Sequence, residues 1–347
     1  MKDIRTIGVM TGGGDAPGLN AALRAVVRRA MQAHLRVLGV HHGWKGLIQG
    51  KVEPLTRYSI SGILPRGGTI LGTSRINPLE SDDTLHRIQE NWKRFGLDAL
   101  ITIGGDGTLS AALRMWRDQG YPIVGIPKTI DNDVRGTDFT LGFDTAVSIA
   151  TEAIDRLHST AESHDRVMVV EVMGRHAGWI AATSAIAGGA DMVLVPEYPF
   201  RISRICEIIN QRKSLGRFFS IIVVAEDAHP HPDENFLSEQ DAQEVFEHTR
   251  LGGIGSLLGK KIEELTGIVT RVTVLGFVQR GGGPTAFDRM LASRMGVKAV
   301  DMVLNHEFGS MTAIQGTRMV SVPLEHAVSG IKLLDDSIYR DCEVFFG

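Results

Sequence analysis

The sequence is poor in several features that mark particular classes of protein. Its 347 residues include two cysteines, Cys206 and Cys342, too few for a disulfide framework and without the spacing of a Cys-x-x-Cys metal site. No apolar run approaches the ~18 residues that a membrane helix needs, and residues 4–10 have the pattern of a buried strand rather than of a signal peptide. A formal net charge of −3 gives no global field that would favour nucleic acid. We therefore expect a cytoplasmic globular protein.

Glycine, in contrast, is abundant. Of the 347 residues, 40 are glycines, a larger share than the ~7% of an average protein. Many of them directly follow short apolar runs. These runs alternate with segments of helical period, which predicts an α/β protein with mainly parallel sheets covered by helices on both faces. The length suits two domains or one large one. The expected strands are residues 6–10, 36–40, 99–103, 123–126, 167–172, 192–195, 220–225 and 271–275, and the expected helices are residues 20–33, 83–95, 109–118, 145–160, 177–187 and 253–266.

Three glycine-rich turns near the start of the chain predict phosphate binding. The first turn, residues 11–20, follows a strand and opens a helix, but it is neither a Walker loop nor a GxGxxG fingerprint. The second turn, residues 67–75, ends in Arg75, and the third turn, residues 104–108, contains Asp106. Glycines let backbone N–H groups approach an anion, and a helix N-terminus favours negative charge. Ordinary strand-to-helix turns also use glycine, but three such turns together favour a phosphate site.

Two carboxylates behind the next predicted strand indicate proton transfer and metal binding. Asp131 and Asp133 lie two residues apart, so one can face a substrate hydroxyl while the other supports a metal. Such a base withdraws the hydroxyl proton as the hydroxyl attacks. Asp106 suits Mg²⁺, which prefers a few carboxylates together with water and substrate phosphates. The alternatives are a helix cap for Asp106 and a plain Asx-rich turn for residues 129–133.

Several arginines stand at the ends of apolar runs or in glycine-rich turns. Guanidinium groups bind phosphate bidentately and stay charged, so the set indicates a second phosphate site, for an acceptor that already carries phosphate. Any one of them alone would be interpreted as a surface ion-pair partner. They are Arg75, Arg166, Arg175, Arg271 and Arg280.

In these motifs the chain resembles the phosphofructokinase family over nearly its whole length. The resemblance rests on residues 13–20, 67–75, 104–108, 129–133, 170–175 and 274–282. Residues 104–108 also resemble a motif of NAD kinases and diacylglycerol kinases, whereas the combination of the others is specific. The resemblance implies two Rossmann-like, doubly wound domains. A donor domain for ATP and Mg²⁺ would comprise residues 1–141 and about 279–329, and a fructose 6-phosphate domain residues 142–278 and the C-terminal segment.

The activity that the resemblance implies is transfer of a phosphoryl group to the 1-hydroxyl of fructose 6-phosphate, giving fructose 1,6-bisphosphate in glycolysis. By motif position Asp131 is the general base, Thr129 lies beside the incoming phosphoryl group and Arg175 steadies it. Asp106 would bind Mg²⁺, assisted by Asp133. The donor would be held by Gly13, Gly14, Trp44, Arg75, Ile76, Gly105, Asp106, Gly107, Thr108 and Lys128. The sugar phosphate would be held by Thr129, Ile130, Asp131, Arg166, Met173, Gly174, Arg175, Glu226, Arg271, Phe277 and Arg280.

The resemblance also concerns assembly. Arg166 and Arg271 match positions that reach the sugar phosphate of a neighbouring subunit, so a homo-oligomer, usually a tetramer, is implied, while Arg280 matches a position on the 6-phosphate. Two positions depart from the family. Phe277 stands where bacterial relatives commonly have a sugar-binding histidine, and Trp44 replaces a tyrosine that flanks the adenine site.

The allosteric site of bacterial relatives is only partly retained. Arg24, Arg28 and Arg57 remain, but His158, Leu215 and Phe218 occupy positions where allosteric relatives have cations. We therefore expect weak or absent regulation by ADP or phosphoenolpyruvate. The segment after Glu226 is longer than in the short bacterial enzymes, and its histidine-proline stretch at residues 227–235 is interpreted as a solvated surface loop rather than a metal site.

Two residues disagree about the phosphoryl donor. In the family, Asp at the position of Gly107 accompanies pyrophosphate use, because its bulk and charge obstruct the α-phosphate of ATP. Lys at the position of Lys128 also accompanies pyrophosphate use. Since Gly107 leaves space for a nucleotide, we favour ATP at this stage and keep the pyrophosphate-dependent enzyme as the alternative.

Three other classes of function are more remote. A NAD or lipid kinase has no need of the arginines, and a NAD-dependent dehydrogenase would carry GxGxxG at the first turn. A non-catalytic sugar-phosphate sensor would be expected to lose Asp131 or Asp106, and both are present.

Overall fold

The computed structural model describes residues 3–234 and 253–347. The chain divides into two compact units. The first comprises Met1–Ile130, Val134–Thr145 and Arg280–Ile331, and the second Asp131–Asp133, Ala146–Gln279 and Lys332–Gly347. The sequence prediction drew the domain boundaries near residues 141, 279 and 329, and its assignment of donor and acceptor to the two domains stays a prediction.

The strands and helices alternate along most of the described residues. The strands are β1 (Thr6–Thr11), β2 (Arg36–Val40), β3 (Val52–Pro54), β4 (Ala99–Gly104), β5 (Ile123–Pro127), β6 (Val167–Val172), β7 (Met192–Leu194), β8 (Ser220–Ala225), β9 (Thr270–Val274), β10 (Ser310–Gln315) and β11 (Arg318–Pro323). The helices are α1 (Leu19–Gln32), α2 (Trp44–Gln49), α3 (Asp82–Phe95), α4 (Asp106–Gln119), α5 (Phe143–His164), α6 (Trp179–Gly188), α7 (Ile202–Ser214), α8 (Ile254–Thr266), α9 (Ala286–Leu304), α10 (Leu324–Ala327) and α11 (Asp336–Glu343), with a 3₁₀ helix at Gly276–Arg280.

The first unit is built on one sheet with the strand order β11-β10-β5-β4-β1-β2-β3. Its central strands are parallel, whereas β3 and β11 pair antiparallel at the two ends. In β4 all residues are buried, as expected of a parallel strand covered on both faces. The register pairs Thr11 with Ile103 and Gly104 with Pro127, so β1, β4 and β5 end at the same edge. The turns that follow these strands are therefore neighbours, which is where α/β sheets bind ligands.

Alternation along β1 divides the core of the first unit into two layers. Ile7 and Val9 pack in one hydrophobic cluster with α1 and α9, while Met10 packs in the other with α2, α3 and α4. Each fully buried aliphatic side chain contributes about 1.5–3 kcal/mol to the stability of such a core. The two layers hold the strand ends, and with them the glycine turns, in place.

The second unit has a smaller parallel sheet with the order β7-β8-β6-β9. The register pairs Val172 with Ala225 and Glu171 with Val274, so the residues that follow β6 and β8 leave the sheet side by side. The α/β class with mainly parallel sheets is confirmed. Among the helices of the described ranges, none is both long enough and apolar enough to cross a membrane.

Some elements differ from the predicted ones. Helices α7 and α9 and the hairpin β10–β11 were not among the predicted elements. Helix α4 begins at Asp106 rather than at Leu109, so Asp106 lies in the first helical turn instead of preceding the helix. The predicted loop 227–235 is described up to Glu234, and Asn235 lies outside the described residues.

Candidate active site

In the first unit, the first glycine turn is locked to its neighbours by its own backbone. The Gly12 N–H donates to the carbonyl of Ile103 at 2.9 Å and the Gly13 N–H to the carbonyl of Ser74 at 3.0 Å. The Thr73 hydroxyl donates to the Gly13 carbonyl at 2.5 Å. Gly13 has a φ of 79°, a left-handed conformation that favours glycine. Because the N–H groups of Gly12 and Gly13 are already engaged, contacts to a phosphate would have to come from later residues of the turn.

Thr108 joins the third glycine turn to the first. Its side chain is buried, and a Cβ on Gly104 would lie 2.4 Å from the Thr108 Cβ. A Cβ on Gly12 would lie 2.7 Å from the Thr108 hydroxyl oxygen. Glycine is therefore required at both places by the close approach of Thr108, a residue predicted to bind the donor. Its packing role is a second reason for a small β-branched residue there.

Asp106 and Gly107 lie at the start of α4. Gly105 is the N-cap and makes no side-chain cap bond, so the helix-cap alternative for Asp106 is not realised. The Asp106 side chain is exposed at a helix N-terminus, where negative charge is favoured. A Cβ on Gly107 would meet no atom within 4 Å. The helix start therefore offers an exposed carboxylate beside open space.

Two buried cations border the first glycine turn. Lys128, directly after β5, is 2% exposed, and its ammonium donates to the carbonyl of Gly14. Arg280 is 7% exposed and its Nη1 donates to the carbonyl of Asp15 at 3.2 Å. A Cβ on Gly14 would lie 3.1 Å from Arg280 Nη1. The structure thus places Arg280 in the first unit next to this turn, and its assignment to the sugar 6-phosphate stays a prediction.

The remaining residues predicted to bind the donor differ in their exposure to solvent. Arg75 and Ile76 are exposed, which leaves both side chains open to a ligand. Trp44 is 3% exposed and packs in the hydrophobic cluster around Met10 and Leu38. Its indole N–H has no hydrogen-bond partner among the described residues. In this position the indole is part of the core rather than an open platform for an adenine ring.

The possible metal ligands of the first unit fit a magnesium ion that binds together with the phosphoryl donor. In the part of the chain that the structure describes, no group of three His, Cys, Asp or Glu residues could hold a metal by itself. Mg²⁺ does not need such a group, since it usually keeps several waters and binds one or two carboxylates together with substrate phosphates. The exposed carboxylate of Asp106 is a ligand of the right kind. Asp133, the other predicted metal carboxylate, belongs to the second unit.

In the second unit, the candidate base lies near the candidate arginine. The chain leaves the first unit after Ile130 and returns to it at Val134. Asp131 is 3% exposed, and its Oδ2 lies 4.0 Å from Nε of Arg175. Asn132 between the two acids has a φ of 53°, so residues 131–133 turn sharply. The predicted pair of Asp131 and Arg175 is therefore brought together.

Glu226 holds the backbone of the Arg175 turn. Its Oε1 accepts the N–H groups of Gly174 at 3.3 Å and Arg175 at 2.9 Å. Arg175 has a φ of 50°, a strained conformation that costs of order 1 kcal/mol and persists only where the surroundings impose it. Burial raises the pKa of Glu226, the bond from Arg175 lowers it, and the nearby charge of Asp131 raises it further.

Other residues of the second unit that are predicted to bind the substrate have side chains more exposed to solvent than that of Asp131. Arg271, on β9, donates through Nη1 to the carbonyl of Thr270 at 2.8 Å and lies 3.5 Å from Glu263. Phe277 is 78% exposed. Arg166 directly precedes β6, and its carbonyl accepts the Ser220 N–H at 3.3 Å.

Sequence reasoning missed three residues at the Arg175 turn. Gln279 is fully buried, and its Oε1 accepts the Met173 N–H at 3.3 Å. His176 and Asp227, the neighbours of Arg175 and Glu226, form a hydrogen bond of 2.7 Å between Nδ1 and Oδ2. Gln279 stands inside a motif that carried the resemblance, so its position could have been flagged. The pairing of His176 with Asp227 depends on β6 and β8 being adjacent and has no signal in the sequence.

Comparison with known proteins identifies relatives over the whole chain. A family model described as "Phosphofructokinase" matches residues 6–303. The pyrophosphate–fructose 6-phosphate 1-phosphotransferase of Streptomyces coelicolor is 52% identical over 342 residues, which are 98% of this chain and 99% of that protein. The ATP-dependent 6-phosphofructokinase 3 of the same organism is 50% identical over 338 residues, 97% of this chain and 98% of that protein. The resemblance drawn from the motifs is therefore confirmed.

Solved structures agree on the fold. Phosphofructokinase from Saccharomyces cerevisiae matches with a TM-score of 0.83 at 33% identity over 94% of this chain, and the match covers 45% of the yeast chain. A pyrophosphate-dependent phosphofructokinase from Marinobacter aquaeolei matches with a TM-score of 0.82 at 21% identity over 99% of this chain and 91% of its own. The expected phosphofructokinase fold is confirmed. Relatives named for either donor are about equally similar, so similarity alone does not choose between ATP and pyrophosphate.

Proposed function

Because this chain belongs to the phosphofructokinase family and is a fructose 6-phosphate phosphotransferase, we propose that its phosphoryl donor is pyrophosphate, with ATP as the second candidate. This reverses the preference for ATP from the sequence, in which Gly107 was given more weight than Lys128. The observation that carries the proposal is Lys128, whose buried ammonium lies against the first glycine turn. Pyrophosphate has no nucleoside to contribute binding energy, so its site depends on charge. A fixed ammonium beside the turn supplies that charge where charge-assisted bonds are strong.

The position of Trp44 supports the same donor. A nucleotide site normally buries its base against hydrophobic or aromatic side chains, and the aromatic residue expected to flank adenine is instead 3% exposed in the core. Open space at Gly107 favours the second candidate, since a nucleotide would meet no side chain there. An open position permits a nucleotide without attracting one, so we give it less weight than Lys128.

In the proposed reaction Asp131 accepts the proton of the 1-hydroxyl of fructose 6-phosphate as the hydroxyl oxygen attacks the donor phosphorus. The bond between that phosphorus and the bridging oxygen breaks, and inorganic phosphate leaves. Arg175, which lies 4.0 Å from Asp131, would stabilise charge on the transferring group. Asp106 would hold Mg²⁺, which neutralises charge on the donor phosphates when it is bound.

We also propose that the enzyme is a homo-oligomer in which Arg271 and Arg166 serve the sugar phosphate of a neighbouring subunit. In support, β9 ends the strand order of its sheet, and Arg271 on it has a side chain that is 55% exposed. Val274, Phe277 and Val278 nearby are each more than half exposed. Exposed apolar side chains of this kind are typical of surfaces that a partner covers.

The proposal that pyrophosphate is the donor predicts weaker use of pyrophosphate when the ammonium of Lys128 is removed. With fructose 6-phosphate and Mg²⁺ in excess, pyrophosphate should support a kcat/KM at least tenfold above that for ATP. Lys128→Met keeps the aliphatic stem and deletes the charge. Because bonds to charged groups contribute about 1.5–3 kcal/mol, KM for pyrophosphate should rise roughly 10- to 100-fold. Initial rates with both donors in parallel measure these effects.

Gly107→Asp is the matched control for the donor assay. Its side chain has room, so folding should be preserved, and its carboxylate should suppress any ATP-supported rate while leaving the pyrophosphate-supported rate within a few-fold. An enzyme that prefers ATP, and whose donor ratio is unmoved by Lys128→Met, would establish the second candidate instead.

A further inference from the structure

Within the second unit, the C-terminal segment binds both backbone segments that carry the proposed chemistry. The Lys332 N–H donates to the carbonyl of Asp133 at 2.8 Å, two residues after the candidate base. The Lys332 carbonyl accepts the indole N–H of Trp179 at 2.9 Å. The Lys332 ammonium lies 4.8 Å from the centre of the Trp179 ring, within the range of a cation–π contact. Trp179 begins α6, four residues after Arg175.

A second tie lies two residues further along the C-terminal segment. Glu197 Oε1 accepts the Leu334 N–H at 2.9 Å and the Gly178 N–H at 3.0 Å. Its Oε2 also accepts the Gly178 N–H, at 3.1 Å. A Cβ on Gly178 would lie 2.5 Å from Cβ of Val195, so the backbone at Gly178 packs closely against Val195. Gly178 and Trp179, which end the turn of Arg175, are therefore both held by groups that also hold the C-terminal segment.

We propose that Trp179, Lys332 and Glu197 form a positioning clamp that sets the place of Asp131 relative to Arg175. The inference rests on the roles proposed for those two residues. The chain enters the second unit at residues 131–133 for a stretch of three residues, and the Lys332 N–H bonds directly to the last of them. The same Lys332 is tied through Trp179 to the turn that carries Arg175.

The clamp acts on the reaction rather than on binding. A misplacement of about 1 Å at a reacting group can cost about 100-fold in rate, while the clamp bonds are few and only partly buried, so that losing one of them should cost little stability. The Lys332 and Trp179 side chains are half-buried, and the segment buries Leu334 next to them. Loosening the clamp should therefore lower kcat and leave the folded state and the affinity for fructose 6-phosphate nearly unchanged.

Trp179→Phe tests the clamp by deleting one donor. Phenylalanine keeps a ring beneath the Lys332 ammonium and removes the N–H that the Lys332 carbonyl accepts. We expect kcat to fall about tenfold, KM for fructose 6-phosphate to stay within about twofold and the thermal midpoint to stay within a few degrees. Leu333→Ala is the matched control, because Leu333 lies in the same segment with its side chain 54% exposed. It should leave kcat unchanged.

Glu197→Ala provides a second measurement through a different tie. It should lower kcat in the same way, and the double variant with Trp179→Phe should lose less than the product of the two single effects, since both hold the same segment. A lower thermal midpoint with unchanged kcat in both single variants would overturn the inference and leave a C-terminal anchor. Failure of the proposed function looks different, because Asp131→Ser would then leave turnover intact.

Discussion

Glu171 is a buried carboxylate near the end of β6, where it accepts backbone N–H groups at the start of α8. Its Oε2 accepts the Gly255 N–H at 2.8 Å, and its Oε1 accepts the Gly253 N–H at 3.1 Å. Burial raises the pKa of Glu171 and the two backbone bonds lower it in part. Desolvation likewise raises the pKa of Glu226 and of Asp288. The folded protein therefore binds these protons more tightly than the unfolded chain does.

This difference predicts how stability depends on pH. A raised folded pKa contributes stability that is present below the ordinary value, 4.5 for Glu171, and is lost as pH rises through the folded pKa. Glu171→Gln cannot titrate at this site. The free energy of unfolding of the wild type minus that of the variant should therefore decrease as pH rises from about 4.5 toward neutrality. Urea unfolding at a series of pH values measures this difference, and a difference that stays constant would contradict the assignment.

At the scale of single residues, the sequence could predict which side chains have a chemical role. It could not predict which of those side chains are buried. The motifs identified Asp131, Arg175 and Lys128 as residues with a chemical role. They did not reveal that the Lys128 ammonium is buried against Gly14, or that Trp44 is enclosed in the core. Both facts depend on how β5 and α2 pack against other elements. Those two burials are what moved the proposed donor from ATP to pyrophosphate.

At the scale of elements, α5 and α9 cap each other at their N-termini. Asp288, in the first turn of α9, accepts the Gly142 N–H at 3.0 Å, the Thr145 N–H at 2.9 Å and the Thr145 hydroxyl at 2.5 Å. In return the Thr145 hydroxyl oxygen accepts the N–H of Thr285, the N-cap of α9, at 3.1 Å, and the Thr285 hydroxyl donates to Asp144 at 2.5 Å. Backbone N–H groups at a helix start have no partner within their own helix. The two helices supply these partners to one another.

Asp288→Ala should destabilise this junction. The variant leaves the three donors of Gly142 and Thr145 buried without their acceptor, and a buried unsatisfied polar group costs about 1–3 kcal/mol. We expect the free energy of unfolding to fall by about 3 kcal/mol. Asp288→Asn keeps one acceptor oxygen at nearly the same volume and should cost less. Denaturant unfolding of both variants makes the comparison, and equal stability of the alanine variant and the wild type would show that the caps are not needed.

The elements that escaped prediction did so for different reasons. The hairpin β10–β11 pairs Gln315 with Arg318 across a turn in which Gly316 has a φ of 59°, and such a glycine turn is a recognisable signal. Helix α9 packs so closely on α1 that a Cβ on Gly296 would lie 2.7 Å from the Ala22 carbonyl oxygen. A glycine inside a helix lowers its intrinsic propensity, and only the partner helix explains it.

At the scale of the whole molecule, the candidate residues are divided between two units that the chain visits repeatedly. Alternation of strands and helices predicted the class of fold, and the motifs predicted the family. Neither the alternation nor the motifs could reveal that Asp131–Asp133 belong to the second unit, whereas Thr129 and Ile130 belong to the first. That division follows from contacts with residues about 200 positions away, such as the bond from Lys332. It is why a proposed clamp involves the C-terminal segment.

The proposed sharing of sites between subunits predicts that two inactive variants restore each other. Asp131→Ser removes the base and should lower kcat by about 10²–10⁴-fold, while Arg271→Ala should raise KM for fructose 6-phosphate. In a mixed oligomer, a site with an intact Asp131 can receive an intact Arg271 from its neighbour. Subunits mixed, dissociated and reassembled should therefore regain activity at low fructose 6-phosphate, up to a fraction set by the share of mixed contacts.

Each variant dissociated and reassembled alone is the control for this mixing experiment, and its activity at low fructose 6-phosphate should stay as low as before reassembly. If Arg271 served its own subunit, every site in the mixture would lack either the base or the arginine, and no activity would return. Recovery in the mixture alone therefore requires both an oligomer and an arginine that crosses between subunits. Arg271 already lies 3.5 Å from Glu263 of its own chain, and the absence of recovery would mean that Arg271 acts within its own subunit.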